Sequence, residues 1–392
     1  MKILIAASWL RLGGGVTRAL LELLKRIDYN SYSVTLLLLE LDKEVAPLIP
    51  AQVRIIEVKN SFQTENSAQI LKDLIRHGKL LTALSYIINL VDFRITGDNY
   101  RHQGWITRHM EKQSEEYDIA IAYSMMNTIV NKYVIDNVRA KKRILWCHTD
   151  VRLYKEKYIK GLGKLYREYD RINCVSKTSL EALKEKFPFV ADKLHVTYNF
   201  IDCEKIIAAS KENPDIPVPD DKLKICTVSR ISGEKGTDIL IDTAHMLNIK
   251  NIDFVWWVIG TVYDDEFNRK IKAKIIEYGL DDKVLILGEK NPPFSCVARC
   301  DIYVQPSRFE GYCTTTNEAK ILLRPIVTTC VSGSHEQFEN GINGTITDIS
   351  AEALFNAVYE LACSEETRKK YTENLKSDIR LLQEASFDSM IS

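Results

Sequence analysis

The chain has 392 residues, more than one hydrophobic core usually supports, so its length predicts two domains. Hydrophobic residues make up 45% and charged residues 27%, a balance that excludes a disordered chain. The net charge is zero, but residues 1–200 hold 31 Lys and Arg against 22 Asp and Glu, a net +9 that the remaining residues cancel. A basic first half predicts contact with an anionic partner, such as a membrane leaflet or a charged acceptor.

The nine cysteines form no recognisable disulfide framework, which indicates a reducing, cytoplasmic location. Only Cys296 and Cys300 lie close together, and a metal site there would need a second ligand pair nearby. We interpret both as small helix residues and expect no metal site. The first residues, MKILIAAS, run directly into a glycine loop without a cleavage site of small residues, and so predict a strand and not a signal peptide.

Short β-branched runs then alternate with longer amphipathic stretches, a pattern typical of parallel sheets built from βαβ units. The predicted strands of the first half are KILIAAS, VTLLLLE, VRIIEV, YDIAIAYS, RILWCH, RINCVS and LHVTYN. The predicted helices between them lie near residues 16–27, 67–92, 105–116, 125–138, 154–168 and 178–187.

The alternation stops at residues 208–222, where AASKENPDIPVPDDK is polar and contains three prolines. This composition predicts a linker. Strands restart with KICTVS, DFVWWVIG, KVLILG, DIYVQP, PIVTT and NGTITD. We therefore expect an α/β chain with Rossmann-like domains at 1–207 and 223–375 whose parallel sheets face each other across a ligand-binding cleft at the strand ends. A last helix within 376–392 is expected to return to the first domain.

Residues 68–91 combine several basic residues with a final apolar run that is too short to span a bilayer. One interpretation is an interfacial helix that brings the chain to a membrane. The other is a buried helix of the first domain.

A glycine loop, Leu12 to Gly15, follows the first strand and opens a helix. Glycines at such a point let backbone amides approach a phosphate or sugar, and the helix N-terminus favours negative charge. The run GGGVTR lacks the spacing of a dinucleotide fingerprint, so a dehydrogenase is not indicated. A plain tight turn is the alternative.

Arg230 and Lys235 lie on the loop between KICTVS and the next helix, which begins after Gly236. Two cations at the carboxyl end of a strand suit a diphosphate whose negative charge grows as it leaves. The alternative is two solvated surface charges.

Glu310 ends a strand, and Glu318 lies in the first turns of the following helix. Both carboxylates are predicted to face the same cleft, and the amides of residues 312–314 would form an anion site at the helix start. Two alternatives remain. Thr315 and Glu318 have the spacing of a capping box, and Glu310 could be an exposed turn residue.

His148 follows the strand RILWC at another carboxyl edge, where it could be a functional residue or a hydrogen-bonded packing residue. The run Asp264, Asp265 and Glu266 is predicted to form a solvated helix start, because three consecutive acids there cannot converge on one ion.

The second half resembles the retaining glycosyltransferases of GT-B fold in glycosyltransferase family 4. The matching segments are SRISGEKG at 229–236, Gly288 with Asn291 and Pro292, PSRFEGY with the following helix at 306–318, and the closing GSHEQFENGINGTI at 333–346. The first half is similar through its glycine loop, WCHTD at 146–150 and NFID at 199–202.

The resemblance implies two Rossmann-like domains and a nucleotide-sugar donor held without a metal or cofactor. It implies that Arg230 and Lys235 bind the donor diphosphate and that Gly14 and Gly15 lie against donor phosphate or sugar. Backbone support for the donor would come from Gly311, Tyr312, Cys313 and Thr314. It further implies that Glu318 binds the ribose, that Glu310 contacts the transferred sugar, and that His148 lies near the reacting centre. Cys313 and Leu323 depart from the family pattern, which has glycine at both positions, and Cys313 is expected to narrow the sugar pocket.

We expect transfer of a hexose or N-acetylhexosamine, by default from a UDP-sugar, to a glycan or lipid-linked acceptor, with no nucleic acid partner. A nucleotide-sugar epimerase on the same fold is one alternative. The other is a catalytically silent partner subunit of another glycosyltransferase.

Overall fold

The computed structural model describes residues 1–11, 14–58, 67–124, 129–154, 156–159, 161–214, 216–262, 264–379 and 386–392. The chain divides into two compact units. Unit 1 comprises Met1–Phe200 with Ala385–Ser392, and unit 2 comprises Ile201–Glu384.

Unit 1 is built on a parallel sheet with the strand order β3-β2-β1-β4-β5-β6-β7. Its strands are β1 (Lys2–Leu10), β2 (Ser33–Leu41), β3 (Arg54–Glu57), β4 (Glu116–Ser124), β5 (Arg139–Cys147), β6 (Arg171–Cys174) and β7 (Leu194–Val196). Strands β1 to β3 form one side of the sheet, and strands β4 to β7 form the other side. The order therefore reverses between β1 and β4, which is the kind of point where open parallel sheets bind ligands.

Helices cover the faces of this sheet, and their apolar residues form a continuous core with the strands. They are α1 (Gly15–Lys25), α2 (Ser67–Arg76), α3 (Leu80–Thr96), α4 (Asn99–Thr107), α5 (Ile129–Asn137), α6 (Glu156–Ile159), α7 (Leu162–Arg167) and α8 (Lys177–Lys186). Short 3₁₀ turns occupy Ala46–Leu48, Val151–Leu153 and Pro188–Lys193.

Unit 2 has a second parallel sheet, of order β10-β9-β8-β11-β12-β13. Its strands are β8 (Leu223–Val228), β9 (Phe254–Ile259), β10 (Val284–Ile286), β11 (Ile302–Gln305), β12 (Ile326–Thr329) and β13 (Thr345–Thr347). Here the order reverses between β8 and β11. The predicted α/β class and the pair of parallel sheets are confirmed.

The helices of unit 2 pack on both faces of its sheet and enclose two apolar clusters. They are α9 (Cys203–Ala209), α10 (Thr237–Ile249), α11 (Asp265–Glu277), α12 (Phe294–Val297), α13 (Thr314–Ile321), α14 (Ser334–Gln337), α15 (Ala351–Cys363) and α16 (Glu365–Ile379). A final helix, α17 (Phe387–Ile391), belongs to unit 1.

The boundary between the units lies earlier than the predicted linker at 208–222. Helix α9 belongs to unit 2 because Ile206 packs in one of that unit's apolar clusters. The end of the chain also differs from the single predicted helix at 376–392, because Ser386 has an extended backbone and caps a separate helix, α17, that begins at Phe387. Within unit 1, the Asn173 side chain donates a hydrogen bond of 2.9 Å to the Met390 carbonyl.

Two further helix boundaries differ from the prediction. The stretch 67–92 forms two helices because Gly78 adopts a left-handed backbone with φ 70° between them. The helix predicted at 105–116 instead begins at Asn99, where the Asp98 side chain caps it by accepting a hydrogen bond from the Arg101 amide.

Candidate active site

In unit 2, the loops after the neighbouring strands β8 and β11 meet at the point where the strand order reverses. Gly236 makes this approach possible. Its φ is 69°, and a β-carbon there would lie only 1.9 Å from the Pro306 carbonyl oxygen. Any side chain at this position would push the two loops apart.

Lys235 and Glu310, which come from these two loops, form an ion pair. The Lys235 Nζ lies 2.9 Å from Glu310 Oε1 and 3.4 Å from Glu234 Oε1, and the two paired side chains are only 14% and 12% exposed. Burial alone would lower the pKa of Lys235, but Glu310 and Glu234 outweigh that effect and raise it. The lysine therefore stays charged at neutral pH. The alternative of two solvated surface charges is therefore wrong for Lys235, and the alternative of an exposed turn residue is wrong for Glu310.

A line of polar side chains fixes the Glu310 carboxylate from behind. Ser307 donates a hydrogen bond of 2.7 Å to Glu310 Oε1 and accepts one of 2.9 Å from Gln305 Nε2. Gln305 also accepts from Thr315 at the start of α13, at 3.2 Å. Sequence reasoning missed Ser307 and Gln305, although both lie within or next to the PSR segment. The network orients the carboxylate before any ligand arrives.

Arg230 is more exposed than Lys235 and pairs with Glu234 at 3.1 Å. Glu234 thus faces both predicted cations. Arg308, which the sequence did not single out, binds Asp238 through two hydrogen bonds of 2.7 Å. It also donates to the Gly233 carbonyl at 2.6 Å and so joins the two loops. Arg308 is therefore a positioning residue for the cationic loop.

Helix α13 begins beside this ion pair, with Cys313 as its N-cap residue. The Cys313 side chain makes no capping hydrogen bond, and the first turn contains no acid. An uncapped helix start presents backbone N–H groups and partial positive charge, which suits an anionic ligand. Burial raises the pKa of the Cys313 thiol to about 11, so the thiol is neutral. Gln337 of α14 supports the turn by donating to the Cys313 carbonyl at 2.6 Å.

The capping-box alternative for Glu318 is wrong, because Thr315 lies inside α13 and is not its N-cap. Glu318 is buried at 4% exposure on the inner side of the helix. Beyond the helix, Leu323 has φ 58°, a left-handed conformation that favours glycine. Leucine at this position therefore differs both from the family pattern and from the glycine that this backbone conformation favours.

In unit 1, Leu12 and Gly13 of the predicted glycine loop lie outside the described residues. Gly14 is the N-cap of α1 and Gly15 its first residue, and no side chain caps the helix. A β-carbon at Gly14 would lie 3.3 Å from Thr17 Oγ1, a tight contact. The loop follows β1, where the strand order of this sheet reverses.

His148 directly follows β5 and is buried. Its ring packs against Tyr123 of β4 with the centroids 4.5 Å apart. Its Nε2 atom is buried and has no hydrogen-bond partner among the residues that the structure describes. Burial lowers the pKa of His148 to about 3, so the imidazole is neutral at physiological pH. The alternative was a packing histidine satisfied by hydrogen bonds. Nε2 does not fit it, because this atom has no hydrogen-bond partner within the described chain.

Arranged in this way, the residues of unit 2 can hold a dianionic leaving group and an uncharged sugar ring beside it. Lys235 and Arg230 supply positive charge, α13 supplies its N-terminus, and Glu310 can accept hydrogen bonds from sugar hydroxyls.

The acidic run Asp264, Asp265 and Glu266 forms an exposed helix start, as predicted. Asp264 caps α11 by accepting from the amides of Glu266 and Phe267. Across the described residues, no group of three or more His, Cys, Asp or Glu could hold a metal ion.

Two family models match the chain. The model of glycosyl transferases group 1 matches residues 209–378, and that of Glycosyltransferase Family 4 matches residues 13–205.

The chain is also similar to curated proteins. One is the N-acetylgalactosamine-N,N'-diacetylbacillosaminyl-diphospho-undecaprenol 4-alpha-N-acetylgalactosaminyltransferase of Campylobacter jejuni, 28% identical over 225 residues. That match covers 55% of this chain and 57% of the relative, so it spans little more than half of that protein's length. An uncharacterized glycosyltransferase of Methanocaldococcus jannaschii is 26% identical, over 81% of this chain and 82% of the relative.

Solved structures share the fold. Anabaena HepE in complex with UDP and glucose matches with a TM-score of 0.71 and 17% identity, covering all of this chain and 97% of the neighbour. The lipopolysaccharide biosynthesis glycosyltransferase WaaG matches with a TM-score of 0.63 and 13% identity, over 96% and 95% of the two chains. With both units matched by family models, the chain belongs to the GT-B glycosyltransferases of family 4.

Proposed function

We propose that the chain is a retaining glycosyltransferase that moves a hexose or N-acetylhexosamine from a UDP-sugar to a hydroxyl of a glycan or lipid-linked acceptor. Its pathway is the synthesis of a polysaccharide or glycolipid at the cytoplasmic side of a membrane. No cofactor and no metal take part in the proposed reaction.

The observation that carries the proposal is the Lys235–Glu310 pair at the reversal point of the unit 2 sheet. A cation beside an uncapped helix start suits the diphosphate, and a carboxylate held by Ser307 suits sugar hydroxyls. Glu318, buried on the same helix, is assigned to the ribose hydroxyls. The charge that develops on the departing phosphate would thus face groups that are already oriented.

The donor and acceptor classes draw support from the relatives. The Campylobacter protein is named for a diphospho-undecaprenol-linked acceptor, and a relative from Rhizobium leguminosarum is named as a lipopolysaccharide core mannosyltransferase. HepE has been solved with UDP-glucose. A UDP-sugar and a lipid-linked glycan are therefore the first substrates to test.

Retention is proposed because an inverting reaction needs a general base on the face of the sugar opposite the diphosphate. Glu310 is held by Lys235 and Ser307, and Glu318 is assigned to the ribose. His148 has its pKa lowered to about 3 by burial and so binds a proton only weakly. If acceptor and leaving group share one face, the departing phosphate can receive the acceptor proton. Lys235 and Arg230 then stabilise its charge, and the neutral His148 helps to position the sugar.

The test is proton NMR of fresh product made from an α-linked UDP-sugar and a lipid-linked acceptor. An α-linked product is expected. A β-linked product would show inversion and would require a base that the proposal does not contain. Product released from donor alone would favour an epimerase, and failure to bind any nucleotide sugar would favour a silent partner subunit.

A further inference from the structure

Helix α3 in unit 1 exposes an apolar face along its whole length. The exposed side chains are between 44% and 84% accessible and follow helical spacing, so they share one side of the helix. They are Leu80, Leu81, Leu84, Ile87, Ile88, Val91 and Ile95. A helix of 17 residues is about 25 Å long, so the face forms a continuous ridge.

The opposite side of α3 faces the protein and is more polar than the side that faces solvent. Its buried residues are Ala83, Tyr86 and Asn89. The Asn89 side chain lies 2.9 Å from His102 Nδ1, and Trp105 Nε1 donates to Ser85 at 3.3 Å. The helix is thus anchored by aromatic and polar contacts, while its most apolar residues remain outside. Single exposed apolar residues are ordinary, but seven on one face indicate an interaction surface.

The charges around this face are mainly positive. Exposed Lys72, Arg76 and Lys79 precede the face, and exposed Arg94 lies near its far end. Residues 67–96 contain two acids, of which Asp92 lies 3.6 Å from Arg101 and is partly neutralised. The apolar face itself carries no acid.

We infer that the exposed face of α3 docks on the surface of a bilayer containing anionic lipid. The helix lies in the plane of the interface, its Leu, Ile and Val side chains enter the acyl boundary, and the flanking lysines and arginines contact the headgroup phosphates. This deepens the proposed function, because a lipid-linked acceptor is presented at such a surface. Across the described chain no helix is both long and apolar enough to span a membrane.

Charge favours a bilayer over a second copy of the chain. In a symmetric dimer built on this face, the same cations would meet one another across the interface and repel. An anionic leaflet instead attracts each of them. A convex ridge also fits a bilayer more readily than it fits a rigid groove on another protein. The deformable acyl region of a bilayer needs no complementary shape.

The test is co-sedimentation of the full chain with vesicles of equal parts phosphatidylcholine and phosphatidylglycerol, compared with phosphatidylcholine alone. Leu84→Glu/Ile88→Glu is expected to weaken binding to the anionic vesicles by about tenfold or more, because it places charge in the apolar face. Leu81→Glu/Ile95→Glu, at the most exposed positions, should do the same with even less risk to folding.

The matched control is Ile249→Glu/Ile276→Glu, which changes two isoleucines of unit 2 that are 62% and 67% exposed. Its vesicle binding should equal that of the unmodified chain. Raising the salt from about 0.1 M to about 1 M, where the screening length falls from roughly 10 Å to 3 Å, should weaken binding of the unmodified chain. Thermal melting reports whether each variant is folded.

The inference is overturned if the unmodified chain ignores anionic vesicles, if it binds neutral and anionic vesicles equally, or if both α3 variants bind as tightly as the control. A dimer in solution that both α3 variants dissociate, without vesicle binding by the unmodified chain, would instead assign the face to a second copy. The vesicles contain no acceptor and no donor is added. A chain that transfers sugar but ignores vesicles therefore refutes this inference alone, and one that binds vesicles but transfers nothing refutes the proposed function alone.

Discussion

The candidate site residues of the two units differ in how far their polar atoms are already satisfied. In unit 2, Lys235 is paired with Glu310, and Glu310 accepts a further hydrogen bond from Ser307. In unit 1, the buried Nε2 of His148 has no partner in the described part of the chain. The first arrangement is preorganised around charge. The second buries the neutral His148 imidazole away from water, where a ligand could supply a hydrogen-bond partner for Nε2.

The two arrangements differ in what they could offer a ligand. A fixed cation and carboxylate lose little energy in reorganising when charge develops on a leaving group. A buried neutral imidazole adds no net charge and instead offers a hydrogen bond at a defined place.

The largest effect is expected for Lys235→Ala. Losing one oriented charge at a leaving diphosphate costs about 2.7 to 4 kcal/mol in the transition state, a loss of roughly 10²- to 10³-fold in turnover. Arg230→Ala should lower turnover less, because Arg230 is more exposed. Steady-state kinetics and thermal melting should show a fall in turnover that far exceeds any loss of stability.

The control for both variants is Lys270→Ala in α11, whose lysine forms an exposed pair with Glu266. Such pairs contribute about 0 to 1 kcal/mol, so turnover should be unchanged. Turnover at the unmodified rate in Lys235→Ala and Arg230→Ala would refute the assignment of these residues to the diphosphate.

A smaller effect is expected for Glu318→Gln. Replacing a charged hydrogen-bond acceptor by an amide should weaken nucleotide binding by about 1.5 to 3 kcal/mol. The melting temperature should change little, because Glu318 does not cap α13. Calorimetric titration with UDP and a thermal melt measure the two quantities. Unchanged affinity with a lowered melting temperature would show a purely structural role.

His148 should make unit 1 sensitive to acid. Its pKa is about 3 in the folded chain against 6.5 when unperturbed, so the unfolded state binds more protons between these values. Stability is therefore lost as the pH falls below 6.5. Between pH 7 and pH 5, the free energy of unfolding should fall by about 2 kcal/mol more in the unmodified chain than in His148→Gln.

Urea denaturation at the two pH values measures this difference. Because the substitution itself changes packing equally at both pH values, only the pH-dependent part is informative. Parallel pH dependence in the two proteins would mean that His148 is not buried in its neutral form.

No effect at all is expected from chelation. Lys235, Arg230 and the start of α13 are proposed to neutralise the diphosphate without a metal. Turnover should be the same with and without EDTA after dialysis. A complete loss that magnesium or manganese restores would contradict this.

Much of the fold was predictable, because buried parallel strands have a clear local pattern and glycines mark where they end. The two sheets and the placement of Lys235 and Glu310 at strand ends follow from this pattern. Their contact at 2.9 Å does not, since it depends on the close packing of Gly236 against the Pro306 carbonyl. Ser307 and Gln305 were missed because their role comes from neighbours that only the folded chain brings together.

Helix ends and domain boundaries were predicted less well. The apolar pattern of residues 67–92 continues through Gly78, and only the left-handed backbone there shows that two helices are present. The same pattern could not show which face of α3 is buried, because apolar residues at helical spacing are normally directed inward. In this helix they are directed outward.

Helix α17 has a consequence for the order of synthesis. Residues 386–392 complete unit 1, where Asn173 donates to the Met390 carbonyl and Tyr32 donates to Asp388 at 2.6 Å. As the ribosome releases the chain, residues 1–200 therefore emerge before the helix that packs on them, and the Asn173 amide donor stays open to water until all of unit 2 has been made.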